Sequence, residues 1–161
     1  MTLLNILKQG NPVLKKKSKA VTKLTPKHTK LIKDMFETMK EAPGIGLAAP
    51  QVGALERIIV ILLEGVPYCV VNPKISKKAG RQVCKEACLS VPGLEGPVER
   101  HKNITVKGLD RTGKPFQIDA EGLLAVVFQH EIDHLDGILF VDRVKDPSQI
   151  ELINKEKKPT I

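Results

Sequence analysis

The stretch Gln129-His130-Glu131-Ile132-Asp133-His134 sits in a helical pattern that runs from about Leu123 to Leu135. Histidines four residues apart project from one face of a helix, one turn from each other. Both imidazoles can then hold one metal ion. Glu131 directly follows the first of them and can reach a water on that metal. A divalent cation lowers the pKa of such a water to roughly 7, where a nearby carboxylate can take its proton. The pattern H-E-x-x-H therefore points to metal-assisted hydrolysis. The plainer alternative is a charged, solvated helix turn with incidental histidines.

Around this helix the chain divides into short elements. Residues 1–24 read as an arm with a turn at Gly10-Asn11-Pro12. Thr25-Pro26 is a helix start, with Thr as N-cap and Pro at the first helical position. Leu31, Ile32, Met35, Phe36 and Met39 then form one apolar face, and the helix ends before Pro43-Gly44. The β-branched run from Arg57 to Leu63 predicts a buried strand, and Tyr68 to Val71 a second one paired across a Gly65 turn. Ile104 to Leu109 and Pro115 to Ile118 flank the hairpin turn Asp110-Arg111-Thr112-Gly113. Gly137 is a C-cap for the metal-motif helix, and a last weak helix is expected from Ser148 to Lys157. One helix, then mostly strands, then the metal helix predicts an α+β fold. Nothing repeats and no linker divides the 161 residues, so one domain is expected, with a short basic tail from about residue 148.

Composition narrows the function classes. No apolar run is long enough to cross a bilayer, and the apolar stretch Leu3 to Leu7 lacks the flanks of a signal peptide. Three cysteines, Cys69, Cys84 and Cys88, make an odd count, which disfavours a disulfide framework. A cytoplasmic protein is expected, with no membrane partner. There is no Trp and only one Tyr, so stacking on bases is not an evident strategy. The net charge of +8 favours an anionic partner surface, and Lys155, Lys157 and Lys158 cluster in the tail.

Two histidines leave a metal site short of a third protein ligand. The metzincin continuation fails, because Phe140 stands where its third histidine would be. Glu151 lies in the Lys-rich tail. Cys88 stands in an apolar stretch, Glu86-Ala87-Cys88-Leu89-Ser90-Val91-Pro92, with Cys84 four residues before it as a competitor. A thiolate with two imidazoles leaves the fourth position open. Gly44-Ile45-Gly46-Leu47-Ala48-Ala49-Pro50-Gln51 superficially matches a dinucleotide fingerprint. That fingerprint needs a strand before it and a helix after it; here a helix precedes and a strand follows. The segment reads instead as a backbone that must approach something closely, with Gln51 presenting an amide donor.

Taken together, the Gly-rich segment ending in Gln51, the Cys88 segment and the His130–His134 segment resemble, in order and spacing, the three motifs of the peptide deformylases. Leu135, Gly137, Leu139, Phe140 and Asp142 extend the likeness, which covers about Asn11 to Val144. The second motif departs: Ala87 stands where the family has glycine, which matters if the backbone there needs φ > 0.

The resemblance implies antiparallel sheets packed around a central H-E-x-x-H helix. It implies an enzyme that removes the formyl group from the initiating N-formylmethionine of nascent chains and releases formate. Cys88, His130 and His134 would hold one divalent ion, usually ferrous iron, with zinc, nickel or cobalt able to replace it. Glu131 would move the proton, and the Gln51 amide and the Leu89 N–H would meet the developing oxyanion. Gly46 would let the peptide backbone lie close, and Ile45, Leu89, Val126 and Val127 would line the methionine slot. A monomer docking transiently on ribosomes through its basic tail is expected. Two other readings compete: a metallopeptidase cutting internal bonds, and an impaired relative that binds ribosomes or RNA.

Overall fold

A cap and a proline open the first long element. In the computed structural model, which describes residues 2–153 and Ile161, helix α1 spans Pro26–Glu41. The Thr25 N–H donates to His28 Nδ1 (3.1 Å), and His28 Nε2 contacts Glu56 (2.9 Å). Ile32, Met35, Phe36 and Met39 bury one face of the helix against Leu47, Ile58 and Val60, as the helical spacing of these residues predicts.

Strands β1 (Gly46–Ala48), β2 (Ile58–Leu63), β3 (Val66–Ala79), β6 (Asn103–Leu109) and β7 (Pro115–Glu121) form an antiparallel sheet in the order β1-β2-β3-β6-β7. A second sheet holds β4 (Gln82–Cys88), β5 (Val91–Arg100) and β8 (Glu151–Leu152), in the order β4-β5-β8. Helix α2 (Gly122–Leu135) packs against strands of both sheets. Every residue from Ala125 to Leu135 is buried. A helix enclosed on all sides carries its polar groups into the interior, and such groups must find partners or ligands there. The architecture is α+β.

Several strand boundaries differ from expectation, and β7 runs on past Ile118 to Glu121. β3 continues past Val71 to Ala79 although Pro73 lies inside it. A bulge between Val71 and Lys74 accommodates the proline, which has no N–H for the ladder. Asn72 takes φ 53° there, and its side chain bonds both the N–H and the carbonyl of Val21. The hairpin of β4 and β5 occupies a region whose Pro and Gly content reads as turns.

The predicted helix from Ser148 is absent over the described part of the tail. Pro147–Gln149 is a single 3-10 turn closed by the Asp146 side chain, and Leu152 pairs with Leu94 on the open edge of β5. Lys155, Lys157 and Lys158, and the rest of that predicted helix, lie outside the described residues. Glu151 faces Lys85 at 2.7 Å.

The N-terminal arm runs past all three motifs. The Ser18 N–H donates to Leu135 O (2.8 Å), Gln9 N–H to Ser90 O (2.7 Å) and Leu7 N–H to Gln51 O (2.7 Å). Gly137 follows α2 with φ 75°, and a Cβ there would collide with the Lys15 carbonyl, so the close approach demands glycine.

Candidate active site

Cys88 ends β4, where a register shift after Ala87 and a tight return to Val91 turn its side chain inward. His130 and His134 stand one turn apart on α2, with ring centroids 5.0 Å apart. Cys88 Sγ lies 3.4 Å from His134 Nε2. The three residues are buried, and one donor atom from each lies within 4.8 Å of the others. Cys84 points elsewhere, to Lys85 O, and Glu151 is committed to Lys85. Phe140, which excluded the metzincin reading, stacks on the His130 ring (6.3 Å, 22°).

The surroundings prepare this donor set for a cation. His130 Nδ1 donates to Glu86 Oε1 (2.8 Å), which leaves Nε2 as a lone-pair donor. That Nε2 is buried with no hydrogen-bond partner, as are both oxygens of Glu131. Buried polar atoms seldom stay unpaired, and a soft thiolate with two imidazoles suits a first-row divalent metal. The residues therefore fit one metal ion. Burial pushes the Glu131 carboxyl up to about 7. A Cβ at Gly46 would stand 2.8 Å from Glu131 Cδ, so glycine at this position makes room for the carboxylate.

Gln51 is oriented by its neighbours. Its Oε1 accepts the Ala48 N–H (2.9 Å), so its NH₂ must face the other way, toward Ser90 Oγ (3.0 Å) and Cys88 Sγ (3.6 Å). Leu89 lies between Cys88 and Ser90 in the turn, half-buried, with its carbonyl accepting from Lys8 Nζ (3.1 Å). Val126 and Val127 are fully buried in one apolar cluster, with Ile45 packed against it and Ile161 buried in it. Leu89 packs against a second cluster, the one that α1 helps to form.

Ala87 raises no backbone difficulty. It lies in the strand opposite Glu95, and among the described residues only Glu64 and Asn72 have positive φ without being glycine. A methyl group is compatible with that conformation.

Behind the donors runs a chain of ions that sequence reasoning missed. Arg100 grips Glu86 in a bidentate pair (2.8 Å and 2.8 Å) and reaches Asp133 Oδ2 with Nη1 (2.6 Å). Arg143 Nη2 caps Asp133 at 2.8 Å. Two carboxylates face two guanidiniums, Arg100 buried among them and Arg143 closing the set from the solvent side, so their charges balance. Burial works to raise Glu86, but the bonds from Arg100 and His130 prevail and hold it below the usual carboxylate range. Asp133 lies within the metal motif and Glu86 two residues before Cys88, so their positions carry a signal. Arg100 and Arg143 carry none.

Buried cation donors beside a carboxylate, on one helix and one strand, define a metal-dependent hydrolase. Comparison with known proteins makes the class specific. The chain matches the polypeptide deformylase family over residues 3–149. The peptide deformylase of Halothermothrix orenii is 52% identical, over 89% of this chain and 95% of that protein. The crystal structure of a peptide deformylase from Legionella pneumophila superposes with a TM-score of 0.89, at 45% identity, covering 92% of this chain and 89% of that one. One from Synechococcus elongatus, in complex with actinonin, gives a TM-score of 0.88 at 44% identity, over 91% and 81% of the two chains.

The chain belongs to the polypeptide deformylase family. It is an enzyme that removes the formyl group from N-formylmethionine peptides, so the readings as a metallopeptidase and as a retired binding protein fall away.

Proposed function

We propose that Cys88, His130 and His134 hold one divalent ion, ferrous iron on the family resemblance, and that the reaction is run by the groups around it. The carrying observation is the convergence of their donor atoms within 4.8 Å in a buried setting, with His130 Nε2 unpartnered. When bound, such an ion supplies Lewis acidity and a water acidified to about pKa 7. Zinc, nickel or cobalt suit the same donors.

This chain's own residues do the rest. Glu131, fully buried, takes the proton of the attacking water and returns one to the departing amine. As the formyl carbon becomes tetrahedral, its oxygen gains charge, and the Gln51 NH₂ and the Leu89 N–H are the donors that meet it. One such donor is worth about 3–4 kcal/mol in the transition state. Ser90 Oγ and the Ala48 N–H hold the Gln51 amide in the donating orientation. Glu86 keeps His130 in one tautomer and is itself locked by Arg100. The peptide lies along Gly46, with methionine directed to the apolar cluster of Ile45, Val126 and Val127 and to Leu89.

The test is a paired assay on Cys88→Ala. Wild-type protein should release formate from formyl-Met-Ala with about one metal per chain, and the variant should lose tight metal binding and turnover together. A variant that keeps stoichiometric metal and turns over would remove Cys88 from the site.

No helix among the described residues is long and apolar enough to cross a membrane. We place the enzyme in the cytoplasm as a monomer, docking transiently on ribosomes through its basic tail. The support is charge alone: such docking weakens steeply with salt. Deleting residues 149–161 should reduce ribosome co-sedimentation at low salt, and an unchanged sediment would leave the tail without this role.

A further inference from the structure

The proposed oxyanion donors sit on two separate segments, Gln51 in the 3-10 turn Ala49–Val52 and Leu89 in the turn between β4 and β5. The N-terminal arm joins those loops. The Leu7 N–H donates to Gln51 O at 2.7 Å, and the Gln9 N–H, two residues on, donates to Ser90 O at 2.7 Å. Between them, Lys8 Nζ reaches Leu89 O at 3.1 Å. On the inner side, Gln51 Nε2 donates to Ser90 Oγ at 3.0 Å. The two loops are thus tied twice, once inside the site and once from outside through the arm.

The arm is itself anchored at both ends. Upstream, the Thr2 N–H donates to Asp34 Oδ1 (3.1 Å) and the Leu4 N–H to Thr38 Oγ1 (2.9 Å), both on α1. Downstream, the Ser18 N–H is held by Leu135 O at the end of α2. A segment fixed to both helices can transmit their rigidity to the loops it spans.

We propose that residues 7–9 form a brace that sets the separation between the Gln51 amide and the Leu89 N–H, which makes Gln9, through its backbone, a positioning residue for deformylation. This rests on Gln51 and Leu89 being the oxyanion donors. Such donors act only within about 2.7–3.1 Å of the developing charge. Misplacement by about 1 Å costs on the order of 100-fold in rate. Loosening one end of the brace moves the donors while His130, Glu131 and His134 stay fixed on α2.

The experiment removes one N–H and keeps the side chain's contribution separate. Gln9→Ala retains the N–H and should turn over formyl-Met-Ala like the parent. Gln9→Pro lacks it and should lose about 10- to 100-fold in kcat, with KM and metal content at parent values. An ester in place of the Lys8–Gln9 amide, introduced as the α-hydroxy analogue of Gln9, removes the same N–H without a ring. It carries the same expectation if the proline variant does not fold. An unchanged kcat in a folded, metal-loaded N–H-deficient protein would overturn the brace. So would a loss of kcat that only follows loss of metal. Gln51→Ala, run in parallel, separates the two levels. If it leaves kcat intact, the oxyanion assignment fails and takes the brace with it. If it lowers kcat while Gln9→Pro does not, the brace alone fails.

Discussion

Glu131→Gln is expected to cut formate release by roughly 10²–10⁴-fold while the protein still binds one metal ion per chain. The change is nearly isosteric, and the place it must fit is tight, since the carboxylate fills the space a Gly46 side chain would need. Both oxygens lack hydrogen-bond partners, so no structural bond is lost. What disappears is the ability to accept a proton, because an amide oxygen is a far weaker base than a carboxylate. Metal content and turnover should therefore separate. Metal analysis beside the formate assay reads this, and a parallel loss of both would make Glu131 a ligand rather than a proton carrier.

Arg100→Met should destabilise the metal-free protein by about 3–5 kcal/mol, because breaking a buried pair leaves an uncompensated charge. Arg100 and Glu86 are 4% and 0% exposed, so water cannot replace the lost partner. The variant leaves Glu86 with His130 as its one remaining side-chain partner among the described residues, while Arg143 still holds Asp133. Against a total stability of about 5–15 kcal/mol, this is a large fraction. Urea unfolding without metal measures it, and a change below about 1 kcal/mol would mean that the buried network relaxes at little cost. Arg143→Met should matter less, because its side chain is half in solvent and Arg100 still holds Asp133.

The elements that were legible in the sequence are those whose burial follows a simple period. α1 repeats its apolar face at helical spacing, β2 is a β-branched run, and β6 and β7 flank the turn Asp110-Arg111-Thr112-Gly113, which the Asp110 side chain closes. The pair β4 and β5 was not legible. Pro92, Gly93, Gly96 and Pro97 read as breakers, and its buried positions Glu86, Glu95 and Arg100 are charged. Their burial depends on partners far away in sequence, which no local period encodes. The described start of the tail differs from the expected helix for a related reason. A Lys- and Glu-rich segment has helical propensity, but the open edge of β5 offered Glu151 and Leu152 backbone partners instead.

The chemistry was more legible than its support. A metal-binding donor set with a candidate base needs particular residue types at particular spacings, so His130, Glu131, His134, Cys88 and Gln51 stand out as candidates, and Cys88, His130 and His134 do converge. The residues that position them do not stand out. Arg100 and Arg143 are ordinary charges until the fold brings them to Glu86 and Asp133, and the arm meets the site through backbone N–H groups, which leave no mark on side-chain identity.

The ligand set can be read directly by X-ray absorption at the metal edge of the zinc- or iron-loaded enzyme. The account predicts one sulfur at about 2.3 Å and two imidazole nitrogens at about 2.0–2.1 Å for zinc, with the sulfur absent from any metal retained by Cys88→Ala. A wild-type spectrum without a sulfur neighbour, or one that Cys88→Ala leaves unchanged, would contradict it.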